Sequence, residues 1–128
     1  MIYLDTSVVL AQLLAEDRIP PEALWHEILV SSRLLEYETW TRIHTRRLER
    51  SHGEAVCALL GRVAFVELAP TVLARALEPF PRPVRTLDAL HLASMDFLRT
   101  QGQALRLASY DEQLLTGARA LKIAIVQI

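Results

Sequence analysis

Four of the fifteen acidic residues in this 128-residue chain, Asp5, Glu38, Asp88 and Asp111, stand where carboxylates can act together. Asp5 ends a short apolar run at residues 1–4, and Asp111 lies just past a second one at 104–109. Glu38 falls in the second turn of a helix-forming stretch, and Asp88 near the start of another. Four carboxylates on one rim repel and shift one another's pKa, and a divalent cation removes that conflict. Ligands that are all oxygen select a hard ion, so Mg2+ is the expected cofactor with Mn2+ as a substitute; both keep waters that can attack or contact a phosphate. Zinc is disfavoured because no His or Cys pair has ligand spacing.

These acids converge only if the elements that carry them alternate in the right order. Residues 1–4 read as a strand, followed by a helix through Leu14 that Thr6 or Ser7 can cap. A break at 17–21 and a short helix at 22–27 lead to a second strand at 28–32, where Ser32 can cap the next helix. From Arg33 to about Arg50 there is no Pro or Gly, and Leu34, Glu38, Thr41, Thr45 and Leu48 share one face at helical spacing. A helix at 52–62, a strand at 64–68 and a helix at 71–77 follow, closed by the Pro-rich loop 79–83. The C-terminal third reads as a helix at 86–100 stopped by Gly102, a strand at 104–109, a helix at 111–121 and a strand at 123–128. Strands alternating with helices predict an α/β fold, a mostly parallel sheet covered on both faces, with its site at the carboxyl ends of the strands.

Length, composition and charge agree with one domain over residues 1–128. The chain is long enough for a core without staples, and its 52% hydrophobic content leaves some apolar surface for partners. No apolar run approaches the roughly 20 residues that span a bilayer, and no basic segment precedes an apolar stretch at the N-terminus, so a cytoplasmic protein without membrane association is expected. The only cysteine, Cys57, lies in an apolar patch and is expected to be a buried, inert thiol. A formal net charge of -1 offers no bulk attraction to a polyanion, so any contact with nucleic acid must be local. Thirteen of the fourteen basic residues are Arg, the better bidentate partner for phosphate.

Four segments, taken in order and at their spacing, resemble PIN-domain ribonucleases of the VapC toxin type: Met1-Ile2-Tyr3-Leu4-Asp5-Thr6-Ser7, Ser31-Ser32-Arg33-Leu34-Leu35-Glu36-Tyr37-Glu38, Leu87-Asp88-Ala89-Leu90-His91-Leu92-Ala93 and Ala108-Ser109-Tyr110-Asp111. The resemblance implies a three-layer α/β/α fold and metal-dependent hydrolysis of RNA phosphodiesters. It implies Asp5, Asp88 and Asp111 as metal ligands, and Glu38 as a ligand directly or through water. Thr6 and Ser109 would support the acids by orienting them, although both types also serve as plain helix caps. It further implies a toxin of a toxin–antitoxin pair, which inhibits growth until a cognate antitoxin blocks the acidic site, and a homodimer. The chain departs from the pattern at Lys122, where such proteins commonly have Gly, and in the short segment between Leu14 and Ile28.

Other readings of the same residues stand beside this one. A phosphoryl-accepting receiver domain would want a mid-chain Asp, yet none occurs between Asp17 and Asp88. A phosphatase with an Asp nucleophile would want Asp two residues after Asp5, where Ser7 stands. An inactive binding module would be expected to lose some of the acids, and all four are present. Arg42, Arg46 and Arg47, with Arg50, are expected along the helix of Glu38 as contacts for RNA or an acidic partner, or as a solvated face. His91, one turn after Asp88, would approach substrate or pack as a hydrogen-bonded core group. Trp25 and Trp40 would line a peptide groove or dimer surface, or belong to the core. Asp96 is two turns beyond Asp88, too far along a helix to share its ion.

Overall fold

The computed structural model describes residues 1–128. Five strands, β1 (Ile2–Leu4), β2 (Leu29–Ser32), β3 (Val63–Val66), β4 (Arg106–Ala108) and β5 (Ala124–Ile125), form one sheet in the order β3-β2-β1-β4-β5. Every pairing is parallel. The chain moves outward from β1 to β3 on one side, then returns to lay β4 on the other side of β1. The order therefore reverses between β1 and β4, and a crevice opens there beyond the strand ends.

Alternation of side chains along these strands divides the core in two. Ile2, Leu4, Leu29, Val63 and Ala108 face a cluster completed by Val8, Val9, Leu35, Ile43, Val56 and Leu60. These come from α1 (Thr6–Leu14), α2 (Leu34–Thr45) and α3 (Glu49–Leu60). Tyr3, Val30 and Leu107 face the opposite cluster, with Leu92, Met95, Leu114 and Ala118 from α5 (Thr86–Thr100) and α6 (Glu112–Ala120). The helix α4 (Pro70–Leu77) rides on α5, where Asp96 receives hydrogen bonds from Arg75 and Arg99 at 2.8 and 2.7 Å. The result is the expected α/β/α arrangement, with both faces of a parallel sheet covered because neither can meet water. Trp25 is buried in the first cluster and Trp40 packs against it, so both tryptophans serve the core.

Helix ends are where the structure departs most from the reading above. The helix expected from Arg33 to about Arg50 ends early: α2 stops at Thr45, the chain turns through Arg47 at φ +55°, and Glu49 and Arg50 already begin α3, the helix expected from residue 52. Arg47 N–H donates to His44 C=O and Leu48 N–H to Ile43 C=O, a Schellman closure with Arg in the left-handed position usually held by Gly. Leu48 folds back onto the first core cluster, which favours the turn. Arg47 and Arg50 therefore do not continue the helix of Glu38, as had been expected. Lys122 closes α6 in the same way at φ +60°, with Ile123 N–H on Ala118 C=O and Ile123 buried behind it. Only the turn at Gly102, φ +82°, carried its usual residue. The outer strand β5 is short, Ala124–Ile125, and Cys57 is exposed on α3, contrary to the buried thiol expected.

A side chain in the left-handed region costs about 1–2 kcal/mol, part of which glycine gives back as unfolded-state entropy. Lys122→Gly should therefore raise the unfolding free energy by about 0.5–1 kcal/mol, read from the urea midpoint at constant m. A lower midpoint would show that the lysine stem contributes more packing than the turn costs.

Candidate active site

Asp5 leaves β1 as the N-cap residue of α1, in the extended conformation that such a cap requires, but its side chain caps nothing. Its carboxylate is buried at the switch point instead. Oδ2 accepts hydrogen bonds from Ser7 Oγ at 2.6 Å and Ser109 Oγ at 2.8 Å, while Oδ1 takes none. Burial pushes the Asp5 carboxyl pKa up, and Glu38 adds to this; nearby His91 and the two serines pull it down without cancelling the rise. The serines are themselves fixed: Tyr110 N–H donates to Ser7 and Asp111 N–H to Ser109.

Glu38 reaches the same crevice from the second turn of α2. Its Oε1 accepts from Thr6 Oγ1 at 2.8 Å and lies 2.6 Å from His91 Nε2, leaving Oε2 free. His91 is fully buried, with Nδ1 2.8 Å from the hydroxyl of Tyr3. Burial opposes a charge on this ring, but the Glu38 hydrogen bond and the charges of Glu38, Asp5 and Asp88 outweigh it, and the imidazole pKa rises. His91 thus joins the packing role to a direct hold on Glu38. Thr6 reaches Glu38 rather than capping α1, so the residue next to Asp5 in sequence orients a different acid.

Asp88, in the first turn of α5, and Asp111, the N-cap of α6, meet across a third group. Arg85 Nε donates to Asp88 Oδ2 and Arg85 Nη2 to Asp111 Oδ2, each at 2.6 Å. The N–H groups of Gln113 and Leu114 hold the other oxygen of Asp111. Burial alone would raise the Asp111 pKa, but Arg85 and these two N–H groups bring it below the ordinary range.

All four acids line one open cleft of about 1010 Å³, together with His91, Arg85, Thr41, Arg42, Thr45 and Arg46. Arg42 and Arg46 follow Glu38 at one-turn steps on α2, whereas Arg47 lies in the turn beyond and does not line the cleft. Glu38 pairs with Thr6 and His91, and not with Arg42 four residues on. As the side chains stand, no three acidic, histidine or cysteine groups surround a single ion position, and Arg85 spans the space between Asp88 and Asp111. Arg85 and Ser7 were not among the residues picked out as supporting the site. The i, i+3 spacing of Arg85 and Asp88 is visible in the sequence, but the link to Asp111 exists only once α5 and α6 are packed together.

The raised pKa of Asp5 has a sign for stability. A carboxyl that binds its proton more tightly when folded stabilises the fold below its unfolded pKa, and that contribution is lost as pH rises through the folded value. At neutral pH the buried charge is a net cost, of the kind that active sites often carry. Asp5→Asn should raise the unfolding free energy of metal-free protein at pH 7 by about 0.5–2 kcal/mol, and the gain should shrink toward pH 4. Denaturation across that range reads it; a loss of stability at neutral pH would mean that the carboxylate's hydrogen bonds outweigh its desolvation.

Comparison with known proteins places this chain in a family. Residues 2–119 match the model of the PIN domain. The chain is 30% identical to ribonuclease VapC35 of Mycobacterium tuberculosis over 132 aligned positions, 98% of this chain and 96% of the relative, in both the CDC 1551 and H37Rv strains. The crystal structure of Mycobacterium tuberculosis VapC20, described as a sarcin–ricin loop cleaving toxin, superposes with a TM-score of 0.67 at 21% identity, covering 91% of this chain and 94% of that one. With the model matching most of its length and a relative aligned nearly end to end, the chain belongs to the PIN-domain family.

Proposed function

We propose that this chain, as one PIN domain over residues 1–128, is a metal-dependent endoribonuclease acting as the toxin of a toxin–antitoxin pair. The observation that carries this reading is the single cleft at the β1/β4 switch point lined by Asp5, Glu38, Asp88 and Asp111. Ribonuclease VapC35 and the VapC20 toxin support it as relatives of the same fold. On this reading the protein cleaves cellular RNA and arrests growth until its antitoxin covers the cleft.

The residues present suit a hard divalent cation. Asp5, Glu38 and Asp88 each have one oxygen anchored by the protein and the other without a hydrogen bond. All the acidic donors are oxygens, and a buried carboxylate with a raised pKa gains by meeting a cation. These acids would hold Mg2+ or Mn2+, which supplies an activated water and charge neutralisation at a scissile phosphodiester. The chain's own groups do the positioning. Ser7 and Ser109 fix Asp5 Oδ2, and Thr6 and His91 fix Glu38 Oε1. Arg42 and Arg46 stand one and two turns along α2 from Glu38, where they suit a phosphate backbone entering the cleft. Leu73 and Leu77 on α4, with Ile19 and Ile28, are large apolar side chains left exposed, and they suit burial in an antitoxin complex or a homodimer. No helix is long and apolar enough to cross a membrane, and a cytoplasmic location fits an RNA target.

Purified, antitoxin-free protein should cleave labelled total RNA with Mg2+ or Mn2+. Cleavage should disappear with chelator and fall by more than about 100-fold in Asp88→Asn, beyond the roughly 10–100-fold cost of losing a supporting residue. No cleavage by folded protein that binds metal would favour an RNA- or protein-binding module instead. Separately, Arg42→Glu with Arg46→Glu should weaken binding of RNA and lower the slope of log K against log salt by about two, leaving metal affinity unchanged. An unaltered slope would mean that this face of α2 is only solvated surface.

A further inference from the structure

Arg85 occupies a position in the cleft that none of the other basic residues shares. It is the N-cap residue of α5, with φ -70° and ψ 157°, so its backbone is extended and its side chain leaves the helix before the first turn. From there one guanidinium bridges two acids on different elements, using Nε for Asp88 and Nη2 for Asp111. Its side chain is half-exposed while that of Asp88 is almost fully buried, so the cation is the more accessible partner. It can withdraw into solvent without uncovering core.

The bonding of Asp111 makes this bridge consequential. Its Oδ1 is committed to the N–H groups at the start of α6, and its Oδ2 to Arg85. Asp5, Glu38 and Asp88 each keep an oxygen without a hydrogen bond, but Asp111 has none while the bridge is closed. A guanidinium and a divalent ion at the same two carboxylates would repel one another across a few ångströms.

We propose that Arg85 is a built-in counter-cation: it holds Asp88 and Asp111 together in the metal-free protein and must release them before they can take a divalent ion. The inference rests on the metal-dependent reading above and adds a regulated step to the same site. Arg85 is a positioning residue here, acting through the two acids. Its two charge-assisted hydrogen bonds stabilise the unloaded site and lower its apparent metal affinity, because binding must first undo them. Lysine cannot reproduce the planar two-donor bridge, so it should hold the pair less firmly.

The test is Mn2+ binding to the full chain without RNA, measured by calorimetry at low salt for the native protein, Arg85→Gln and Arg85→Lys. Arg85→Gln should bind Mn2+ about tenfold more tightly, melt at a lower temperature without metal, and gain more on Mn2+ addition. Arg85→Lys should fall between the two. Should Arg85→Gln fail to fold, tighter binding by Arg85→Lys than by the native protein carries the same conclusion. Equal or weaker Mn2+ binding by the folded variants would overturn the proposal, since Arg85 would then merely organise the ligands. Asp88→Asn separates this failure from a wider one. If native protein binds Mn2+ and Asp88→Asn does not, the metal-site reading stands whatever Arg85 does. If neither native protein nor Arg85→Gln binds Mn2+, both readings fall together.

Discussion

The rest of this structure depends on how four carboxylates are kept beside one another at the end of a buried sheet. Asp5 is the most constrained of them, because it stands at the end of the central strand with helices on both sides and almost no access to water. An ionised group in such a place must be hydrogen-bonded or it neutralises. Ser7 from α1 and Ser109 from the end of β4 supply the bonds, and each is fixed by a backbone N–H from residues 110–111. Satisfying one charge therefore locks the loop after β4 against the start of α1.

The same requirement ties together elements that the apolar core leaves apart. The two core clusters lie on opposite faces of the sheet and do not share residues. Glu38 belongs to the layer of the first cluster and His91 to that of the second, and their hydrogen bond crosses the rim of the sheet. Tyr3 stands beneath His91 on β1, its hydroxyl accepting the N–H of Ser32 on β2. Arg85 links the N-termini of α5 and α6 in turn. Polar connections of this kind specify geometry more than they add stability, since desolvation consumes much of their gain. What they hold is the relative placement of the acids, which apolar packing alone would leave loose by an ångström or more.

The sequence was clear wherever one residue type forces a local outcome. The helix at 86–100 matches α5 because Pro-rich chain precedes it and Gly102 follows it. The long Pro- and Gly-free stretch after Arg33 misled for the same reason in reverse. No breaker stands at Arg47 or Lys122, and both adopt the left-handed conformation because Leu48 and Ile123, the next residues, gain burial by turning back. Tertiary packing there overrides a local backbone cost of about 1–2 kcal/mol. Cys57 illustrates the other limit: an apolar neighbourhood in sequence does not say which face of α3 a residue takes.

By itself, then, the sequence determined the order of strands and helices, the parallel sheet between two layers, and the acids that end up in one cleft. These follow from periodicity and from residue types at strand ends, which act over a few neighbouring positions. Only the tertiary structure decided that Thr6 serves Glu38 and Ser109 serves Asp5, that His91 is held between Tyr3 and Glu38, and that Arg85 closes Asp88 onto Asp111. Most of these partners lie 26 to 104 positions apart in the chain. Side chains at such separations meet only because parallel crossovers bring the carboxyl ends of β1 and β4 together, a placement that no local pattern encodes.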